Sequence, residues 1–201
     1  MILRFILKIF LQFFFLPLSG TKLFDCEKIP AEGGCILYSN HISMWDPFML
    51  HYACYPRFPR LMAKAELFKI PVLRAAVKYL RAFPVDRGGN DTSAIRAACE
   101  LLKEGHILGI YPEGTRSKTG EMGEFKNGTA MIAARADVPM VPMYIHRRYR
   151  WFGKTRVVVG DPFTLSDIME EKGLGRKEAL RISTDFMRDK LLELKEIADK
   201  L

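Results

Sequence analysis

A histidine and an aspartate five residues apart are the first side chains in this sequence with the chemistry of an acid–base pair. His41 and Asp46 lie in the stretch S-N-H-I-S-M-W-D-P at residues 39–47. In one continuous helix this separation would turn them roughly 140° apart, so a pair requires His41 in a turn and Asp46 in the first turn of the next helix. There the carboxylate can orient the imidazole and stabilise the imidazolium, as a general base requires. The alternative is a helix-capping aspartate beside an ordinary loop histidine, because short patterns recur by chance.

A second stretch, Y-P-E-G-T-R-S at residues 111–117, has the residue types of an anion-binding loop. Gly114 permits a positive φ or a close backbone approach, and the Arg116 guanidinium offers a fork of donors that matches phosphate. A solvated turn is the alternative. No lysine or hydroxyl follows Gly114 at the spacing of a nucleotide-binding P-loop, so a nucleotide site is not expected.

Three further segments carry weaker signals. Arg87 follows a short apolar run in F-P-V-D-R at residues 83–87, and Lys64 and Lys126 each adjoin a predicted element. The stretch V-P-M-V-P at residues 138–142 predicts an apolar strand, and its two prolines predict an edge or a bulge. Each signal alone is weak, because single basic residues in loops are mostly solvated.

Taken in order, these segments resemble the glycerolipid acyltransferase family, whose best-known members are the 1-acyl-sn-glycerol-3-phosphate (lysophosphatidate) acyltransferases. The resemblance covers about residues 33–145 and includes A-K-A-E-L at 63–67 and F-K-N-G at 125–128. Two positions depart from the family pattern: Tyr111 stands where phenylalanine is usual, and Pro84 stands where an apolar residue is commoner.

The resemblance implies transfer of a fatty acyl group to the sn-2 hydroxyl of 1-acyl-sn-glycerol 3-phosphate, which gives phosphatidic acid in phospholipid biosynthesis. His41 would take the proton of that hydroxyl and Asp46 would orient His41. The hydroxyl would attack the thioester of acyl-CoA or acyl-carrier protein directly, with no acyl-enzyme and no other cofactor.

The same resemblance assigns the substrate-binding residues. The acceptor phosphate needs fixed cations near the base, and Arg116, Arg87 and Lys64 are the candidates. Three residues of the second stretch would shape the loop around the glycerol: Glu113, Gly114 and Thr115.

Strands that alternate with helices predict one α/β domain over residues 20–201, with a mixed, mostly parallel sheet flanked by helices. In such a sheet reactive groups gather beyond the carboxyl ends of the strands. Both chemical stretches fit this rule, because one follows the predicted strand Cys35–Ser39 and the other follows His106–Tyr111. The other predicted strands are Arg60–Ala63, Phe83–Val85, Met140–Ile145 and Thr155–Val159; the predicted helices are Trp45–Tyr55, the segment from Ile70-Pro71, Asp91–Glu104, Asn127–Ala136 and Arg176–Leu201.

Residues 1–19 predict an amphipathic helix that anchors the chain to a membrane. Arg4, Lys8 and Gln12 share one narrow polar stripe, and the rest of the segment is apolar but shorter than a spanning helix needs. A signal peptide and a core helix are the alternatives. The expected location is therefore peripheral or monotopic, on the cytoplasmic face of the cell membrane.

The formal net charge of +8 predicts an anionic partner, and residues 57–87 hold eight basic against two acidic side chains. A phospholipid surface fits this bias, whereas nucleic acid is not expected because no RNA-binding or zinc-finger pattern is present. The four cysteines form no C-x-x-C pair, and the other histidines lack ligand spacing, so no metal is expected. Two alternatives stay open: another acceptor, glycerol 3-phosphate or a lyso-aminolipid, and a phospholipid-binding protein without catalysis.

Overall fold

Seven strands form one mixed sheet in a computed structural model that describes residues 20–85, 92–146 and 154–201. The strand order across the sheet is β1-β7-β6-β2-β5-β3-β4. The strands are β1 (Lys22–Phe24), β2 (Cys35–Ser39), β3 (Arg60–Lys64), β4 (Phe83–Val85), β5 (Ile107–Ile110), β6 (Met140–His146) and β7 (Arg156–Val159).

Five neighbouring strands, from β6 through β2, β5 and β3 to β4, are parallel. β7 runs antiparallel to β6, and β1 is parallel to β7. The carboxyl ends of the five parallel strands therefore share one edge, which is where an α/β sheet collects its reactive groups. The predicted α/β fold with a mixed, mostly parallel sheet is confirmed.

Helices cover both faces of this sheet. In the described ranges the α-helices are α1 (Asp46–Ala53), α2 (Pro71–Tyr79), α3 (Thr92–Lys103), α4 (Gly128–Ala136), α5 (Leu165–Lys172) and α6 (Arg176–Lys200). Buried residues of α3 to α6 form one core with Ile36 and Tyr38 of β2. Buried residues of α1 pack on the other face with Cys35 and Leu37. Because both faces are covered, every residue of β2 is buried and the strand reads as one apolar run.

The prediction that residues 138–142 form a sheet edge is wrong, because β6 lies between β7 and β2. Pro142 is in register with Tyr38, and its carbonyl accepts a hydrogen bond from Gly160 N–H at 2.9 Å. The missing amide hydrogen is therefore on the β7 side, beyond Val159, the last residue of β7. Pairing on this side resumes at Met140, which exchanges hydrogen bonds with Phe163, one residue out of the β6–β7 register. A proline is tolerated in this interior strand because it sits at that irregularity, which agrees with the predicted alternative of a bulge.

The remaining differences concern short elements. β1 and α5 were not anticipated, and the helix expected at Trp45–Tyr55 spans Asp46–Ala53. The membrane-anchoring helix predicted for residues 1–19 lies outside the described residues. None of the helices in the described ranges combines the length and the apolar character that crossing a bilayer requires.

Candidate active site

The two chemical stretches meet because they leave adjacent strands at the same edge of the sheet. β2 and β5 are parallel neighbours, with Tyr38 in register with Ile110. The chain leaves β2 at Asn40 and leaves β5 at Tyr111. The loop that follows each strand therefore faces the other, and residues 72 positions apart come into hydrogen-bond contact.

His41 and Asp46 form the predicted pair. The distance between His41 Nδ1 and Asp46 Oδ2 is 2.8 Å, and the same oxygen accepts 2.7 Å hydrogen bonds from the N–H groups of Ile42 and Ser43. The Asp46 carboxylate is fully buried, whereas 16% of the His41 side chain stays exposed. With Nδ1 held by Asp46, Nε2 is the ring nitrogen that an incoming hydroxyl can approach, which is the geometry of an oriented general base.

Tyr111 covers one face of the His41 ring. The two rings are stacked with centroids 4.0 Å apart and planes 15° from parallel. The Tyr111 hydroxyl is buried and has no hydrogen-bond partner among the described residues. Burial, with the nearby negative charge of Asp46, raises the pKa of the Tyr111 phenol well above its usual value, so the group stays neutral. Sequence reasoning noted Tyr111 only as a departure from the family and missed the stacking.

The main chain of His41 is bound at both ends by the second stretch. The His41 N–H donates to Glu113 Oε1 at 2.8 Å, and the Ser117 N–H donates to the His41 carbonyl at 2.7 Å. Arg116 lies between these two contacts in the chain. The candidate base and the candidate phosphate ligand are thus carried by two loops that are directly hydrogen-bonded to each other.

Asn40 is a site residue that the sequence analysis did not single out. Its buried side chain donates to the Ile145 carbonyl at 3.0 Å and accepts from the Ile145 N–H at 2.8 Å. These bonds extend the β2–β6 contact by one residue and fix the chain just before His41. A polar residue directly after a fully buried strand was the available signal.

Only some of the predicted substrate-binding residues lie on the loop that contacts His41. Arg116 and Thr115 are exposed on the loop after β5, and Gly114 adopts the positive φ that glycine permits, +69°. Lys64 is exposed at the end of β3, where it forms a 3.1 Å ion pair with Glu66. Arg87 lies outside the described residues.

Lys126 adds a cation that the sequence analysis noted only as the residue before a helix. A Cβ placed on Gly114 would lie 3.1 Å from the Lys126 Nζ, so the lysine side chain lies against this glycine. Its main-chain N–H donates to the Pro112 carbonyl at 2.9 Å. Lys126 therefore belongs with Arg116 among the cations beside the second stretch.

One member of the basic segment 57–87 has a structural role instead of an anion-binding one. The Arg57 guanidinium donates to the carbonyls of Pro30, Gly33 and Gly105. Gly33 and Gly105 precede β2 and β5, so Arg57 ties loops together at the amino-terminal edge of the sheet, opposite His41. Counting charges along the chain could not separate this arginine from the exposed ones.

A buried carboxylate that orients a histidine, at the carboxyl edge of a parallel sheet, defines an α/β enzyme equipped for general-base chemistry. A profile of the acyltransferase family matches residues 22–146. The chain belongs to the acyltransferase family, and the predicted resemblance is confirmed.

Individual relatives agree with this assignment. The 1-acyl-sn-glycerol-3-phosphate acyltransferase of Bacillus subtilis is 32% identical over 188 residues, which cover 91% of this chain and 92% of the relative. A protein of the same name from Streptococcus pneumoniae is 32% identical over 82% of this chain and 64% of its own length. The crystal structure of PlsC, the 1-acyl-sn-glycerophosphate (LPA) acyltransferase of Thermotoga maritima, matches with a TM-score of 0.70 and 26% identity, over all of this chain and 80% of that chain.

Proposed function

We propose that this acyltransferase moves a fatty acyl group from a thioester donor to the sn-2 hydroxyl of 1-acyl-sn-glycerol 3-phosphate, giving phosphatidic acid. The observation that carries the proposal is the 2.8 Å contact between His41 and Asp46 beside a loop that bears Arg116. The relatives named above are acyltransferases for this acceptor, and the site offers a candidate base, His41, and a candidate cation, Arg116, for such an acceptor.

In the proposed reaction, His41 Nε2 removes the proton of the acceptor hydroxyl while the oxygen bonds to the thioester carbonyl carbon. The tetrahedral intermediate then collapses, the C–S bond breaks, and the proton held by His41 passes to the departing thiolate. Asp46 keeps the proton on Nδ1 before the step and stabilises the imidazolium during it. Among the described residues, no serine or cysteine side chain is hydrogen-bonded to the His41 ring, which favours direct transfer without an acyl-enzyme.

The acceptor phosphate would be held by cations on the loops around His41. Arg116 is exposed, and the next residue, Ser117, is hydrogen-bonded to the His41 main chain, so the backbone that carries the guanidinium is fixed beside His41. Lys126 lies beside the same loop. Arg87 and Lys64 stay in the proposal as further phosphate ligands, and Gly114 and Thr115 as the residues that shape the loop around the glycerol.

The start of α2 supports contact with an anionic phospholipid surface. Ile70 and Val72 expose 48% and 74% of their surface, and three exposed basic residues lie in the same segment: Lys69, Arg74 and Lys78. This segment follows the carboxyl end of β3, so it stands at the edge of the sheet that carries His41. Exposed aliphatic side chains in a segment that also exposes cations match the interface of an anionic leaflet. We place the protein on the cytoplasmic face of the membrane, with residues 1–19 as a further anchor.

A screen of acceptors with the purified full-length chain tests the function. Lysophosphatidate, its dephosphorylated counterpart 1-monoacylglycerol, glycerol 3-phosphate and lyso-ornithine lipid are each offered with acyl-CoA and with acyl-carrier protein. We expect lysophosphatidate to be acylated fastest and monoacylglycerol to react poorly, because it lacks the phosphate. Faster transfer to glycerol 3-phosphate or to the lyso-aminolipid would overturn the acceptor assignment, and binding of lipid without transfer to any acceptor would overturn the catalytic one.

A further inference from the structure

Glu113 uses both of its carboxylate oxygens on the protein's own main chain. Oε1 accepts the His41 N–H at 2.8 Å, and Oε2 accepts the Gly123 N–H at 2.9 Å. The residue is buried, with only 6% of its surface exposed. A buried carboxylate whose two oxygens already accept main-chain hydrogen bonds is poorly suited to touch a substrate. Its negative charge would in addition repel a phosphate-bearing acceptor.

The contact of Glu113 is one of two that set the register between the loops. The Ser117 N–H donates to the His41 carbonyl at 2.7 Å, so the N–H and the C=O of one residue are both bound by the stretch 113–117. This pairing continues the β2–β5 contact past the end of the strands. Asn40 fixes the other side of the same chain to Ile145 of β6.

We propose that Glu113 is a positioning residue, which holds the main chain of His41 in register with the loop that carries Arg116. The inference rests on the proposed function, because it takes His41 as the base, and it replaces the expected role of Glu113 as a substrate ligand. Its carboxylate joins three segments that no ladder connects: the turn after β2, the turn after β5 and the chain at Gly123.

A carboxylate of this length is required at position 113. A glutamine offers one acceptor oxygen, so its NH₂ group would face one of the two N–H donors and leave that donor without a partner. An aspartate is one methylene shorter and cannot reach both donors from the same backbone position. A displacement of the base of about 1 Å is enough to slow a reaction about 100-fold.

Steady-state kinetics of Glu113→Gln separate the two roles. We expect kcat to fall about 10- to 100-fold, while KM for lysophosphatidate and for the acyl donor stays within about twofold. Glu124→Gln is the matched control, because Glu124 is exposed in the same segment, and it keeps wild-type kinetics. A rise in KM for lysophosphatidate with kcat retained would identify Glu113 as a substrate ligand and overturn the proposal, as would unchanged kinetics.

A second variant and a hydrogen-exchange measurement test the role of Glu113 without relying on the folding of Glu113→Gln or on the identity of the acceptor. In Gly123→Ala the carboxylate is retained, but the new methyl lies 3.3 Å from Glu113 Oε2 and crowds it, so a smaller fall in kcat with unchanged KM is expected. Amide hydrogen exchange of a peptide that contains His41 should be faster in Glu113→Gln than in the wild type, whether or not lysophosphatidate is the substrate. Unchanged exchange would contradict the positioning role, whereas a wild-type chain inactive toward lysophosphatidate would contradict only the proposed acceptor.

Discussion

His41 is held from three directions by residues that come from different parts of the chain. Asp46 binds its Nδ1, Tyr111 stacks on its ring, and Glu113 and Ser117 bind its main chain. The Asp46 contact could be predicted from the sequence, because it is local and depends on one turn. The other contacts could not, since they depend on β2 and β5 being neighbours, which is a property of the whole sheet.

We expect Tyr111 to support His41 through its ring and not through its hydroxyl. Tyr111→Phe should keep activity within about twofold and leave the free energy of unfolding unchanged or raised by up to about 1 kcal/mol, because the lost hydroxyl is buried without a partner in the described structure. Tyr111→Ala should lower kcat about tenfold, since it removes the ring that covers His41. Urea unfolding and steady-state assays of both variants check this, and a large loss of activity in Tyr111→Phe would show that the hydroxyl takes part in the reaction.

We expect Arg116 to bind the phosphate of the acceptor. Arg116→Ala should raise KM for lysophosphatidate about tenfold or more and leave KM for the acyl donor within about twofold, because one charge-assisted contact to phosphate contributes about 1.5–3 kcal/mol. Arg188→Ala, on the exposed surface of α6, is the matched control. Equal changes in both KM values would argue against a phosphate contact at this position.

At the scale of elements, burial decided which strands could be recognised. β2 is covered on both faces and reads as an apolar run, whereas β1 has one exposed and two half-buried residues and gives no such signal. The two prolines near β6 predicted an edge because a proline removes a ladder donor. The structure keeps β6 inside the sheet by placing Pro142 beyond the end of β7, a detail that depends on where a distant strand stops.

Helix α1 carries a prediction about acid stability. His51 is buried and stacked on Phe58 with centroids 4.3 Å apart, and burial together with the positive charge of Arg81 lowers its pKa to about 4. In the unfolded chain it titrates near 6.5, so between pH 6.5 and 4 the unfolded state binds more protons than the folded state. The folded state should therefore lose up to about 3 kcal/mol of stability as the pH falls through this window.

Urea unfolding of His51→Phe as a function of pH measures this contribution. The variant keeps an aromatic ring beside Phe58 but cannot be protonated, so its stability should fall less between pH 6.5 and 4 than that of the wild type. His106→Gln, at a more exposed position, is the control for removing a histidine. Parallel profiles for wild type and His51→Phe would rule out His51 as the source of acid sensitivity.

At the scale of the whole molecule, the sequence motifs predicted the family and the fold class, but the strand order came only from the structure. The motifs are specific because each is a short segment with defined chemistry. The order β6-β2-β5-β3-β4 arises from pairings between segments that are distant in the chain, and local patterns do not encode it. The net positive charge predicts an anionic partner, and the structure separates Arg57, bound to carbonyls, from the exposed cations of α2.

The exposed start of α2 gives a whole-molecule prediction. Ile70→Glu combined with Val72→Glu should reduce sedimentation of the full-length chain with anionic phospholipid vesicles several-fold, because it replaces apolar surface by charges that the leaflet repels. Leu192→Glu on α6 is the matched control, since Leu192 is a partly exposed aliphatic residue on another element. Equal vesicle binding by the double variant and the control would remove α2 from the membrane contact.

We propose that His41, oriented by Asp46, is the general base of acyl transfer. The most direct test compares kcat/KM for lysophosphatidate among the wild type, His41→Ala and Asp46→Asn, with urea unfolding of each protein to establish that it is folded. We predict that folded His41→Ala loses at least about 100-fold in kcat/KM and that Asp46→Asn is also strongly impaired. If folded His41→Ala transferred acyl groups at the wild-type rate, His41 would not be the general base.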